Sequence, residues 1–579
     1  MSALTMSRGV PVLVVLSLSI VVFAGCLQGE PETKGDTRSK TRQRGAGVPG
    51  HIVEGLPDPI LKCWTNTTCN QEMTPDAGRQ GNEVTIAVNP MNPLNIVGGA
   101  KDYYPADAGE CVWDGVYVTT DGGATPYEDR SFDGSPWRAT SNPQSFKPNY
   151  ASQFWCTTDP VAYFSTKGTF YYLLMAYQAD RVTGSKIGKD VIPRHPLGEG
   201  ALNDWAFNRA VQIVAVSDDG GKSFHTFTPT LEGSYPIAFH DKGWIAASNA
   251  GVVHVMWLAG QVAGNTYMRS TDNGKSFPVQ NLQKLNTGAA GQGSFLDVGP
   301  GKEVYAVWTS GQGQRNIQFR RSMDEGATWE PQKVALSFTA GGMPGISSRD
   351  RRGGFPAMAT DRFADSPNAG AIYLVWQGST AAGVPPDIYF SASYDKGTTF
   401  TTPVIINDDF LDGGLNDPAN YQIFPAISVS PLGVIDVAWM DSRGTNQSIL
   451  KPHMGGTASR VGQAHQNLDE YHTYSLDGGK TWSRNFHVRD VSDGGWDPQV
   501  CHHQNGMVFI GDYNDIDSSW GAAHPVWPDS RSGTMCDVYT AIVQRPIFPV
   551  GFDEEKKNTI RQRLLAEKLV DPDHPFLGD

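Results

Sequence analysis

The sequence predicts an all-β protein, a β-propeller built from four-stranded blades with an Asp-x-Gly turn between the third and fourth strand of a blade. Two observations carry this: a turn motif that recurs six times, and a pair of apolar strands upstream of it, often ending in Trp. The turn reads Ser475-Leu-Asp-Gly-Gly-Lys-Thr-Trp482 in its clearest copy. It returns at Ser217 to Phe224, Ser270 to Phe277, Ser322 to Trp329 and Ser393 to Phe400, with a worn version at Thr119 to Pro126. The runs before it, such as Asp387 to Ala392 and Leu468 to Tyr474, alternate and are rich in aromatic residues, as half-buried strands are. Asp-x-Gly between two such runs is hairpin chemistry. The glycine can take positive φ, and the carboxylate accepts hydrogen bonds from the N–H groups of its own turn. Asp121, Asp219, Asp272, Asp324, Asp395 and Asp477 are therefore expected to be structural.

Upstream text repeats as well. Phe424 to Arg443 is an apolar strand, a Pro/Gly turn and a second apolar strand ending in Trp439. Gly354 to Thr360 with Ala371 to Trp376, Ile245 to Ala247 with Val252 to Trp257, and Phe295 to Val298 with Glu303 to Trp308 follow the same plan. Four strands per unit, here called a to d, indicate propeller blades rather than a solenoid. Units start near Glu83, Asp159, Asp241, Gly293, Gly354, Tyr421 and Gly511. The last has neither the turn motif nor an obvious fourth strand, and the segment before Glu83 can supply one. Seven blades are expected, with six as the alternative. The chain divides into a signal peptide (1–25), a tether (26–50), an N-terminal segment that closes the ring (51–80), the propeller (81–550) and a charged helical tail (551–579).

The pattern Ser/Thr-x-Asp-x-Gly-x-Ser/Thr-Trp/Phe resembles the Asp-box, or BNR-repeat, proteins of the sialidase-like β-propeller superfamily. The resemblance spans roughly Asn82 to Arg545. It implies the propeller fold, and it is shared by enzymes, binding proteins and assembly factors.

Met1 to Gly25 has Arg8, an apolar run and small residues, the pattern of a secretory signal. Phe23-Ala-Gly-Cys26 resembles the lipobox of bacterial-type lipoproteins, which implies acylation of Cys26 and a membrane contact through the lipid alone. Leu27 to Gly50 is too polar to bury a core and reads as a flexible tether of charge +2. The whole chain is at −14, so the body without signal and tether stands near −17. A body so acidic argues against nucleic acid as a partner. Six cysteines remain beside Cys26, an even number in an export context. Of the fifteen connectivities, the sequence-neighbour pairs are expected: Cys63 with Cys69, Cys111 with Cys156, and Cys501 with Cys536.

Chemistry is expected where strands a begin and strands b end, because those ends surround the central channel on the face opposite the Asp boxes. These positions are polar: Glu83, Asp102, Tyr103, Asp159, Asp241, Lys242, Arg351, Arg352, Gln422, Asp441, Arg443, Asp512, Tyr513, Asp529 and Arg531. The resemblance to sialidases implies a carboxylate-binding cluster of Arg352, Arg443 and Arg531, Tyr513 as nucleophile with Glu83 as its partner, and Asp159 or Asp241 as acid/base. The family's Phe/Tyr-Arg-Ile-Pro motif is absent from the first blade, where the strand reads Asn82 to Pro90. Trp-x-Asp-Ser-Arg occurs twice, at Trp439 to Arg443 and Trp527 to Arg531, which also reads as a repeated structural salt bridge. Asn407, Asp408, Asp409, Asp412 and Asn416 form an oxygen-rich loop that could hold calcium, although no cofactor is required. His502 and His503 point to opposite faces of a strand, against a shared metal. The expected function is recognition of a glycan or an extracellular protein at the channel mouth by an exported, surface-anchored monomer. A sialidase-like glycoside hydrolase is the enzyme alternative, and an assembly factor for a membrane complex a further one.

Overall fold

Seven antiparallel sheets stand as the blades of a ring in the computed structural model. It describes residues 48–65, 68–74, 80–103, 113–130, 156–177, 210–230, 240–259, 264–288, 290–341, 354–381, 384–409, 420–449, 464–501, 503–504 and 507–578. From the inner strand a to the outer strand d, blade 1 is Gln80–Val88, Ile96–Tyr103, Trp113–Thr119 and Glu128–Asp129. Blade 2 is Cys156–Phe164, Phe170–Tyr177, Ala210–Ser217 and Thr226–Pro229. Blade 3 is His240–Ala247, Val253–Ala259, Gly264–Ser270 and Gln283–Lys284. Blade 4 is Phe295–Val298, Val304–Gln312, Gln314–Ser322 and Lys333–Thr339. Blade 5 is Ala357–Thr360, Ile372–Gly378, Asp387–Ser393 and Val404–Ile405. Blade 6 is Gln422–Val429, Ile435–Asp441, Asp469–Ser475 and Phe486–His487.

Blade 7 is built from both ends of the chain. Its strands a to c are Asp515–Ser518, Ala522–Asp529 and Asp537–Ala541, and its outer strand is Asn70–Glu72, antiparallel to Asp537–Ala541. The unit that lacks an Asp box thus has its fourth strand from the N-terminal segment, and the six-blade alternative falls. That segment also lies as a strap along the outer edge. Val48–Pro49 pairs in parallel with Val404–Ile405 of blade 5, and His51–Ile52 with Thr481–Trp482 of blade 6. Covering outer edges in this way removes templates for association with other strands.

All six Asp boxes make one hydrogen-bond pattern, the worn copy included. In the last, the Ser475 hydroxyl donates to Asp477 and accepts from the Gly479 N–H, while Asp477 accepts from the N–H and hydroxyl of Thr481. Thr119, Asp121, Gly123 and Thr125 repeat it. Gly479 sits at φ 91°, and a Cβ there would collide with the ring of Phe390 in blade 5. In three copies the aromatic residue that ends the motif packs against a ring of the preceding blade. Trp482 meets Phe390 edge-on at 4.8 Å, Phe400 meets Phe319 at 5.3 Å, and Trp329 meets Tyr267 at 5.0 Å, each pair spanning two blades. Such pairs contribute about 0.5–1.5 kcal/mol beyond their burial. In these blades the motif fastens one blade to the one before it.

Inner strands of adjacent blades share no ladder, so side chains bridge them. Asp515 and Asp517 of blade 7 accept from the N–H groups of Ile86 and Val88 of blade 1, and Asp297 of blade 4 accepts from Thr360 of blade 5. Arg362, just after strand a of blade 5, donates to the Tyr163 hydroxyl of blade 2 and lies 4.7 Å from that ring. The helix Glu554–Ala566 is N-capped by Asp553 and carries Glu554 and Glu555 in its first turn, as the helix dipole favours. Its Ile560 and Leu564 pack with Leu432 and Trp520, in a–b turns on the Asp-box side. Disulfides join Cys63 to Cys69 and Cys501 to Cys536, as proteins of oxidising, exported compartments have. Cys26 and Cys111 lie outside the described residues. No helix among the described residues is long and apolar enough to cross a membrane.

Candidate functional site at the channel mouth

Where strands a begin, the backbone is bent in the same way from blade to blade. Glu83, Asp159, Lys242 and Phe424 take φ of 50°, 58°, 50° and 54°, and the strand register shifts at each place. Gly293 and Gly511 take φ of 68° and 96° at the starts of blades 4 and 7. Positive φ is uncommon outside glycine, and such bulges re-aim side chains. Here they bring residues from distant parts of the chain together.

Lys242 is the centre of the polar half. Its Nζ lies 2.6 Å from Glu83 Oε1, 2.6 Å from Asp512 Oδ2, 3.5 Å from Asp159 Oδ2 and 4.0 Å from Asp241 Oδ1. Lys101 Nζ is 3.1 Å from the other oxygen of Glu83. Burial works against the charge on Glu83, yet the two ammonium groups outweigh it and hold the carboxyl well below its usual range. Burial likewise opposes the charge on Lys242, and the carboxylates of Asp159, Asp512, Glu83 and Asp241 raise it well above an ordinary lysine. Asp114 behaves oppositely. Burial, with Asp159 beside it, raises its carboxyl well above the usual range. Tyr513 is pushed up by burial and by the carboxylates of Asp159, Glu83, Asp114 and Asp512, so its phenol stays neutral, with Lys242 Nζ 5.2 Å from the ring centre.

The other half of the mouth is aromatic. A pocket is walled by Trp244, Phe295, Phe355, Phe424 and Tyr513, with Lys242, Asp512, Asn514 and Ser294 among its polar edges. Trp244 stacks on Phe295 at 3.6 Å and meets Tyr513 edge-on at 6.4 Å. Its walls come from blades 3 to 7, the charged cluster from blades 7, 1, 2 and 3. Lys242 and Asp512 mark the boundary.

The sequence model described as BNR/Asp-box repeat matches residues 473–484, the copy with the hydrogen-bond pattern given above. The chain is a seven-bladed β-propeller with Asp-box turns. Among solved structures, this propeller is similar to a protein of unknown function from Dyadobacter fermentans (12% identity, 83% of this chain and 99% of that one, TM-score 0.42). It is also similar to the Hadza microbial sialidase Hz136 (14% identity, 80% and 66% of the two chains, TM-score 0.37). A third is the α-L-arabinofuranosidase Arb93A from Fusarium graminearum (12% identity, 82% and 97%, TM-score 0.38). No curated protein matches the sequence.

Of the residues expected at the site of the propeller, Glu83, Asp159, Asp241 and Tyr513 gather around Lys242. Glu83 faces the two lysines, as its ion pairs show, in place of the tyrosine partner expected for it. Arg443 and Arg531 are engaged elsewhere, in two copies of one clasp. Arg443 donates to Asp441 in its own blade, to Asp408 at the end of blade 5 and to Asn485. Arg531 donates to Asp529, to Asp490 at the end of blade 6 and to Asn70. The indoles of Trp439 and Trp527 donate to the same Asp441 and Asp529. Trp-x-Asp-Ser-Arg is thus a repeated inter-blade clasp. Arg352 lies outside the described residues, as do Asp412, Asn416 and His502. Asn407 donates to Asp387 and Asp409, and both oxygens of Asp408 accept from protein donors, Arg443 and the Asn485 N–H. Among the described residues no group of three or more His, Cys, Asp or Glu is arranged to hold a metal ion.

Sequence reasoning missed Lys101 and Asp114 of the polar half and the four apolar walls Trp244, Phe295, Phe355 and Phe424. A signal existed for two of them. Trp244 and Phe295 stand two places after the bent residues Lys242 and Gly293, as Tyr513 does after Gly511.

Proposed function

We propose that this propeller recognises a glycan at its channel mouth. The observation that carries the reading is the aromatic pocket at the mouth, with Lys242 and Asp512 of the buried ion-pair cluster at its edge. Sugar rings have apolar C–H faces that stack on aromatic residues and hydroxyls that bond to charged and amide groups, as the walls and edges of this pocket offer. The protein is exported and, by this reading, is held at a cell surface through acylated Cys26. Binding to an immobilised glycan array, lost in Trp244→Ala while the fold persists, tests it. An array with no binder would leave an extracellular protein partner, recoverable by cross-linking, as the reading to pursue.

Glycoside hydrolysis is the second reading, favoured by carboxyls of opposite protonation in one cluster, Glu83 ionised and Asp114 protonated. Release from a panel of aryl glycosides, sialosides included, abolished by Asp159→Asn, would establish it. The engaged guanidiniums of Arg443 and Arg531 do not favour the sialidase version.

A further inference from the structure

We infer that the channel mouth selects neutral or amino-bearing sugars and rejects carboxylated ones, a conclusion that rests on the glycan reading. The described polar half holds four carboxylates, Glu83, Asp159, Asp241 and Asp512, against two ammonium groups, Lys101 and Lys242. Lys242 is surrounded by all four acids and Lys101 is 3.1 Å from Glu83, so neither cation is open to neutralise an incoming carboxylate. Recognition of a carboxylate would need planar, bidentate donors turned into the pocket. The described arginines that sequence position brought to the rim, Arg443 and Arg531, have their donors in the clasps.

The aromatic half adds to this preference. The negative faces of Trp, Tyr and Phe rings attract cations and stack on neutral sugar rings, but they disfavour an anion above them. Asp512, buried and paired with Lys242, lies behind the pocket edge beside Tyr513, so the excess of carboxylates acts on a stacked ligand through its field and not by direct contact. The acidic body raises the local concentration of cationic ligands over anionic ones.

Calorimetric titration of the full chain with three β-1,4-linked oligosaccharides of equal length tests the inference: N-acetylglucosamine oligomers, their deacetylated amine forms, and glucuronate oligomers. The expected result is neutral or amine binding at least about tenfold tighter than uronate binding, one charge repulsion at the pocket edge being of that order. In Asp512→Asn the advantage of the amine over the neutral oligomer should shrink several-fold. If that variant loses the wild-type thermal midpoint, Asp241→Asn makes the same charge change at the rim. Tighter binding of the uronate than of its neutral counterpart would overturn the charge selection alone. No binding by all three, with none on the array, would overturn the glycan reading and this inference with it.

Discussion

Lys242 of the third blade holds Glu83 of the first and Asp512 of the last at 2.6 Å each. Blades 1 and 7 are neighbours across the seam where the two ends of the chain meet. The seam is therefore tied from inside by one ammonium group and from outside by the pairing of Asn70–Glu72 with Asp537–Ala541. The strained backbone at Glu83 and Lys242 persists because the ring and the ion pairs together enforce it.

Lys242→Met should lower stability by about 3–5 kcal/mol, because it leaves Glu83 and Asp512 buried without their shared cation. Urea denaturation followed by tryptophan fluorescence reads the shift. An unchanged midpoint would mean that the cluster does not hold the seam.

Arg531→Met should also destabilise the protein, by about 3 kcal/mol, since Asp490 loses its ion pair while Asp529 keeps only Arg489. Glycan affinity should stay as in the wild type. Lost affinity at unchanged stability would place Arg531 in the site and not in a clasp.

The Asp boxes should behave as local staples. Ser475→Ala removes the bonds to Asp477 and Gly479 and should cost about 1 kcal/mol. Gly479→Ala should cost more, because the added methyl meets Phe390 and the backbone is at positive φ. Both variants should bind glycan normally, as measured on the array.

Stability should depend on pH in two opposed ways. Burial works against the charge on Asp324 and Asp395, yet the hydrogen bonds of their turns together outweigh it and hold both carboxyls down to about 2. Their stabilisation is present above the unfolded value of about 3.9 and disappears as pH falls toward 2. Asp324→Asn with Asp395→Asn should flatten the loss of the urea midpoint between pH 4 and about 2.

Asp361 is pushed up to about 7 by burial. The folded state then holds a proton that the unfolded state has released, so stability falls as pH rises from about 4 to about 7. Asp361→Asn should raise the urea midpoint at about pH 8 and leave it unchanged near pH 4. A midpoint lowered at both would mean that the carboxylate itself is needed there.

The fold was readable because blades repeat their reasons. Ser475, Asp477, Gly479 and Trp482 sit within one short stretch, and the same chemistry stands in that stretch in other blades. The arginine clasps were half legible for the same cause: the repeat of Trp-x-Asp-Ser-Arg signalled structure, while the partners Asp408 and Asp490 lie far away in sequence. The pocket was least legible. Trp244, Phe295, Phe355, Phe424 and Tyr513 come singly from five blades, and only ring closure makes them neighbours. Lys242 was visible as a rim residue beside Asp241, but the other three acids around it come from blades that no local spacing connects.

The most direct test is a crystal structure of the protein with the tightest oligosaccharide from the array. The account predicts a sugar ring stacked on the aromatic wall formed by Trp244 and Tyr513, beside the edge that Lys242 and Asp512 mark. A ligand bound on another surface, with the channel mouth empty, would contradict it.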